Sequence, residues 1–142
     1  IGVENFDRVV GIPTAGIPFA SVLAYSLNKP FLYVRKEAKA HGRERRVEGI
    51  LYPGDMALLV DDVITTGGSL LSAAEAVTAE GGVVKDALVL IDREEGGKKV
   101  LEDKGIKFSC FMSMSEVAQK LYSTGTITKD ELDAILKQTK KR

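Results

Sequence analysis

Between Ala57 and Ser69 the chain reads Ala-Leu-Leu-Val-Asp-Asp-Val-Ile-Thr-Thr-Gly-Gly-Ser, an apolar run that ends in two acids and a Thr/Gly/Ser loop. An apolar run bounded by turn formers reads as a buried strand over Met56 to Val60, and Leu70 to Glu80 reads as a helix, so the loop lies where strand hands over to helix. Amides at a helix start lack intrahelical acceptors and lie at the positive end of the helix dipole, and glycines let an anion approach them closely. Thr65, Thr66, Gly67, Gly68 and Ser69 therefore form a candidate cradle for a phosphate monoester. Carboxylates beside an anion are repulsive unless they face hydroxyl donors or a divalent cation such as Mg2+. Asp61 and Asp62 thus point to a phosphorylated sugar, the alternative being a solvated turn whose acids cap the helix.

The rest of the chain repeats the pattern. Arg8 to Val10, Phe31 to Val34, Val83 to Ile91 and Lys107 to Phe111 are further short apolar strand candidates, and Ile17 to Leu27 and Gly97 to Lys104 are helix candidates. This alternation predicts an α/β fold, a mostly parallel twisted sheet flanked by helices, with ligands at the carboxyl ends of the strands. Ser115 to Tyr122 and Thr128 to Gln138 read as two terminal helices, the second opened by a capping box of Thr128 and Glu131. At 142 residues the chain is expected to be a single domain, 1–142, with 115–142 as a helical extension.

Twenty basic and twenty acidic residues cancel, so no overall field draws the chain to nucleic acid or to a membrane, and neither is expected as a partner. One cysteine, Cys110, excludes an intramolecular disulfide framework and is expected to be buried. No apolar stretch approaches the roughly 20 residues that span a bilayer, and no signal-peptide pattern is present, so a cytoplasmic location is expected.

Three more clusters bear on chemistry. The segment from Arg35 to Glu48 carries six Lys/Arg residues, three acids and the one histidine, without a secondary-structure signal. Long loops inside a compact domain are often lids, and a cationic one suits an anionic leaving group. Gly11 to Pro18 is a Gly/Pro-rich strand-to-helix loop whose amides could receive a second anion, with Gly16 allowing close approach. Ile91 to Gly97 places Arg93 at the carboxyl edge of the sheet, where its planar fork of donors could pair with a carboxylate or with ring carbonyls.

Ala57 to Ser69 resembles the 5-phosphoribosyl 1-pyrophosphate (PRPP) motif of the type I phosphoribosyltransferase family. The resemblance implies that Asp61 and Asp62 hold the ribose hydroxyls and that Thr65, Thr66, Gly67, Gly68 and Ser69 hold the 5′-phosphate. Arg35-Lys36-Glu37-Ala38-Lys39-Ala40-His41-Gly42 resembles the catalytic loop of the orotate phosphoribosyltransferases within that family, and Asp92-Arg93-Glu94-Glu95-Gly96-Gly97 resembles their base-contacting segment. By that resemblance Arg35, Lys36, Lys39 and His41 contact the pyrophosphate, Lys39 is the principal catalytic cation, and Arg93 contacts orotate. It further implies a homodimer in which the loop acts in the neighbouring subunit, and a Mg2+ cofactor carried on pyrophosphate and ribose oxygens, with no protein metal ligands assigned. Catalytic roles are thereby expected for Lys39, His41, Asp61 and Asp62. Ala15 stands where many bacterial members have a lysine, so leaving-group binding would depend more on backbone dipoles, Mg2+ and the loop. Ile1 is not a methionine and lies almost directly on a strand. Residues ahead of it are therefore expected, including the N-terminal hood that family members carry over the base. The rivals are a purine or uracil phosphoribosyltransferase, which would need neither the loop sequence nor Arg93, and a PRPP- or nucleotide-binding regulator without catalysis.

Overall fold

The computed structural model describes residues 1–36 and 45–139. After a short 3-10 turn at Val3–Asn5, the elements are β1 Arg8–Gly11, α1 Gly16–Ser26, β2 Phe31–Val34, β3 Val47–Glu48, β4 Met56–Ile64, α2 Gly68–Ala79, β5 Val83–Asp92, α3 Gly97–Glu102, β6 Lys107–Ser113, α4 Met114–Ser123 and α5 Lys129–Thr139. Among the described residues six strands form one sheet in the order β3-β2-β1-β4-β5-β6. All neighbours pair parallel except β3, which runs antiparallel to β2 at the edge with Val34 opposite Val47.

This is the α/β architecture expected from the alternation of apolar runs and helical segments, because parallel neighbours need crossover helices that cover both faces. On one face α1 lays Ala20 and Ala24 on Val9, Leu58 and Val60. On the other, Leu70, Ala73, Ala74 and Val77 of α2 and Leu101 of α3 pack on Val10, Leu59, Ala87 and Val89. Small residues on α1 and α2 let both helices lie close to the sheet.

The chain leaves β1 toward β2 on one side and β4 toward β5 on the other, so strand order reverses between β1 and β4. In open α/β sheets such a reversal opens a crevice at the carboxyl ends. Here β1 ends at Gly11 opposite Val60, whereas β4 continues to Ile64, paired only with β5 through Asp61 opposite Val89 and Ile64 opposite Asp92. Residues 61–64 therefore overhang the crevice with one edge unpaired by β1.

Three expectations need correction. The strand expected to stop at Val60 runs on to Ile64, because β5 supplies a ladder whatever the polarity of the side chains. The segment from Arg35 to Glu48, read as lacking secondary structure, contains β3. Cys110 is exposed, since it lies on edge strand β6, where Phe111 is also 77% exposed. The capping box at Thr128 is present, with Glu131 Oε2 accepting from the Thr128 amide at 2.7 Å and Thr128 Oγ1 accepting from the Glu131 amide at 3.3 Å. A second box at Ser113 and Glu116 opens α4. No helix among the described residues is long and apolar enough to cross a membrane.

Leu59 is fully buried at the centre of the sheet. Leu59→Ala is expected to lower the unfolding free energy by about 2–5 kcal/mol in urea titration, whereas exposed Phe111→Ser stays within about 0.5 kcal/mol of wild type.

Candidate active site

The loop after β4 is shaped by two glycines that touch. Gly67 is buried at φ +84° and serves as the N-cap of α2. A side chain there would be strained by backbone conformation and would crowd the Gly97 carbonyl oxygen at 3.2 Å. In return, a Cβ on Gly97 would stand 2.5 Å from the Thr65 carbonyl oxygen, which accepts the Gly97 amide at 3.0 Å. The start of α3 thus braces the loop from behind. Gly97, the second glycine of the Asp92 to Gly97 segment, thus has a positional reason.

No side chain caps α2. Its first amides, which have no intrahelical acceptor, open on a cavity of about 170 Å³ lined by Asp61, Val63 and the backbone turn from Ile64 to Leu70. All five expected phosphate-loop residues, Thr65, Thr66, Gly67, Gly68 and Ser69, line this cup. Asp61 is 7% exposed and forms part of the same wall. Burial first, and then the hydrogen-bonded neighbour Asp62, push its carboxyl up to about 7. Its Oδ1 accepts the Asp62 amide at 2.9 Å. Asp62 is half-buried beside it and outside the cup lining.

Gly16 has a different use from the one expected. A Cβ there would lie 2.7 Å from Asp61 Oδ1 and 2.8 Å from the Val60 carbonyl oxygen, so this glycine lets α1 close on the acid. From the same loop, Ile12 and Pro13 line a second cavity of about 290 Å³ with Arg35, Lys36 and Arg46, and Gly68 and Ser69 belong to both cavities. Arg35 makes an ion pair with Glu48 at 3.3 Å. Lys39 and His41 lie outside the described residues.

Arg93 stands at the end of β5, its amide bound to the Ile64 carbonyl at 3.0 Å. Its guanidinium is half-exposed and pairs with Glu95 at 2.8 Å. The acids around it hold structure: Asp92 Oδ1 accepts the Glu94 amide at 2.7 Å, and Glu94 Oε2 accepts the Ser115 amide at the head of α4 at 2.8 Å. Arg46 is the cavity residue that sequence reasoning missed, because a cation in the run Arg43-Glu44-Arg45-Arg46 is indistinguishable from solvated surface charge.

At the carboxyl edge of an α/β sheet, where strand order reverses, the uncapped start of α2 and buried Asp61 thus share one cup, an arrangement suited to an anion that also carries hydroxyl donors. The comparisons agree. Residues 3–124 match the model of the phosphoribosyl transferase domain, and the chain belongs to that family. Its relatives place it on the orotate phosphoribosyltransferase branch. It is 44% identical over 140 residues to the orotate phosphoribosyltransferase of Cenarchaeum symbiosum, covering 99% of this chain and 70% of that one. The crystal structure of orotate phosphoribosyltransferase from Aeropyrum pernix superimposes with a TM-score of 0.77 at 37% identity, over 85% of this chain and 68% of that one. That of the Mycobacterium tuberculosis enzyme in complex with PRPP gives 0.68 at 28% identity, over 78% of this chain and 64% of that one. The chain therefore spans about two thirds of the length of these relatives.

Because the folded Asp61 carboxyl is raised above its ordinary value, the stability it contributes is complete below the usual carboxylate range and is lost as pH rises through about 7. Asp61→Asn removes that titration. The variant is expected to melt higher than wild type at pH 8, with the gap closing toward pH 4; parallel melting curves across that range would contradict the burial of a chargeable acid.

Proposed function

We propose that this chain carries the catalytic core of an orotate phosphoribosyltransferase, joining orotate to the ribosyl carbon of PRPP to give orotidine 5′-monophosphate and pyrophosphate in pyrimidine (UMP) biosynthesis. The observation that carries the reading is the single cup in which the uncapped start of α2 faces buried Asp61. The 5′-phosphate would sit on the amides and hydroxyls of Thr65 to Ser69, and the ribose hydroxyls would donate to Asp61 and Asp62. Those donors satisfy an acid whose charge burial disfavours, so substrate relieves a cost built into the free protein.

Orotate brings its own nucleophilic ring nitrogen, and no strong protein base is required. The chain's work is to position the two substrates and to balance charge as the bond to pyrophosphate breaks and the sugar acquires oxocarbenium character. Arg35 and Lys36, at the mouth of the second cavity, would face the leaving group. Lys39 and His41 are proposed to join them from the neighbouring subunit of a homodimer, a part that rests on the family resemblance. Arg93 would exchange Glu95 for the carboxylate and carbonyls of orotate. Mg2+ fits a place where carboxylates adjoin an anion cup, and when bound with substrate it would neutralise pyrophosphate and ribose oxygens beside Asp61 and Asp62. A single domain over 1–142, with 115–142 as a helical extension, and a cytoplasmic location complete the proposal.

With PRPP and Mg2+ supplied, orotate is expected to be consumed while uracil, adenine and hypoxanthine are not; consumption of a purine would contradict the assignment, and retention of ligand without turnover of any base would favour a regulator. Lys39→Ala is expected to reduce kcat far more than it raises the KM for PRPP, and an unchanged kcat would remove Lys39 from the chemistry.

A further inference from the structure

Arg46 joins three elements at the mouth of the second cavity. Its Nε donates to the Arg35 carbonyl at 3.1 Å, its Nη1 to the Ser72 carbonyl at 3.4 Å and its Nη2 to Ser72 Oγ at 3.1 Å. These acceptors are neutral. The nearby carboxylate of Glu80 is engaged otherwise, accepting the amides of Arg46 at 2.9 Å and Val47 at 3.0 Å and lying 3.7 Å from Arg45 Nε. Among the described residues the Arg46 guanidinium therefore meets no carboxylate. Among the described residues it is a cation held in place without a paired acid, and of its five donors two are uncommitted there.

That cation lines the cavity of about 290 Å³ together with Ile12, Pro13 and Lys36, and the cavity borders the phosphate cup through Gly68 and Ser69. PRPP carries its two anionic ends on opposite sides of one ribose. If the 5′-phosphate occupies the cup, the neighbouring cavity, which shares Gly68 and Ser69 with it, is a space open to the diphosphate. We propose that Arg46 is a binding residue for that diphosphate, beside Arg35 and Lys36, an inference that rests on the PRPP reading above. Of the two arginines in this cavity, Arg35 already has a carboxylate partner in Glu48, whereas Arg46 has none among the described residues. Its hold on Ser72 fixes the donors in advance, so little side-chain freedom is lost on binding.

Calorimetric titration of wild type, Arg46→Gln and Arg46→Lys, each with pyrophosphate plus Mg2+ and separately with ribose 5-phosphate, separates the two ends of the substrate. Arg46→Gln is expected to weaken pyrophosphate binding by about tenfold or more while ribose 5-phosphate stays within about twofold, and Arg46→Lys is expected to recover part of the loss. Unchanged pyrophosphate affinity in Arg46→Gln would overturn the proposal. So would equal loss of both ligands, which would make Arg46 a structural brace between β2 and α2. Failure of wild type to bind either ligand would instead remove the PRPP reading itself.

Discussion

A desolvated carboxylate and a row of amides without acceptors are each costly to a folded protein, and here β4 and α2 bring both to one small cup. Relief from within is partial: the Asp62 amide reaches Asp61 Oδ1 at 2.9 Å, no side chain caps the helix, and burial pushes the Asp61 carboxyl up to about 7. A ligand that presents an anion to the amides and hydroxyl donors to the acid relieves both at once. A sugar phosphate has that pair of groups, and inorganic phosphate has only one of them. Such a ligand would complete an arrangement that the sheet holds in place.

The rest of the structure keeps that arrangement in place. β4 is held by β1 and β5 through Val60 and then by β5 alone, which leaves residues 61–64 projecting along the crevice while their backbone remains paired. Gly16 lets α1 come against Asp61, and the Gly67–Gly97 contact lets α3 brace the loop. Glu94 carries the bracing onward by accepting the Ser115 amide at the head of α4. Groups fixed in this way need little reorganisation when charge develops on the substrate, which is the main route by which preorganised sites lower barriers.

Much of this was legible in the sequence because it depends on local rules. Period and turn formers located the long strands and helices to within a few residues, and the strand-to-helix loop with its glycines located the cup. What escaped depends on partners distant in sequence. The ladder that carries β4 through two acids is supplied by β5, and the two-residue β3 exists because Tyr33 and Val34 offer it an edge. Gly16 reads from the sequence as room for an anion and Gly97 as the end of a Gly-Gly pair, whereas each also meets backbone far along the chain. Cys110 reads as interior from its alternating neighbours, yet the strand carrying it is the last of the sheet. Arg46 was invisible among like charges until Ser72 fixed its direction.

The central claim is that phosphate binds the first turn of α2. Amide chemical shifts of the 15N-labelled protein titrated with ribose 5-phosphate test it directly. The account predicts that the largest saturable changes fall on Thr66, Gly67, Gly68 and Ser69. Changes confined to the start of α3 or α4, with those four amides unmoved at saturation, would contradict it.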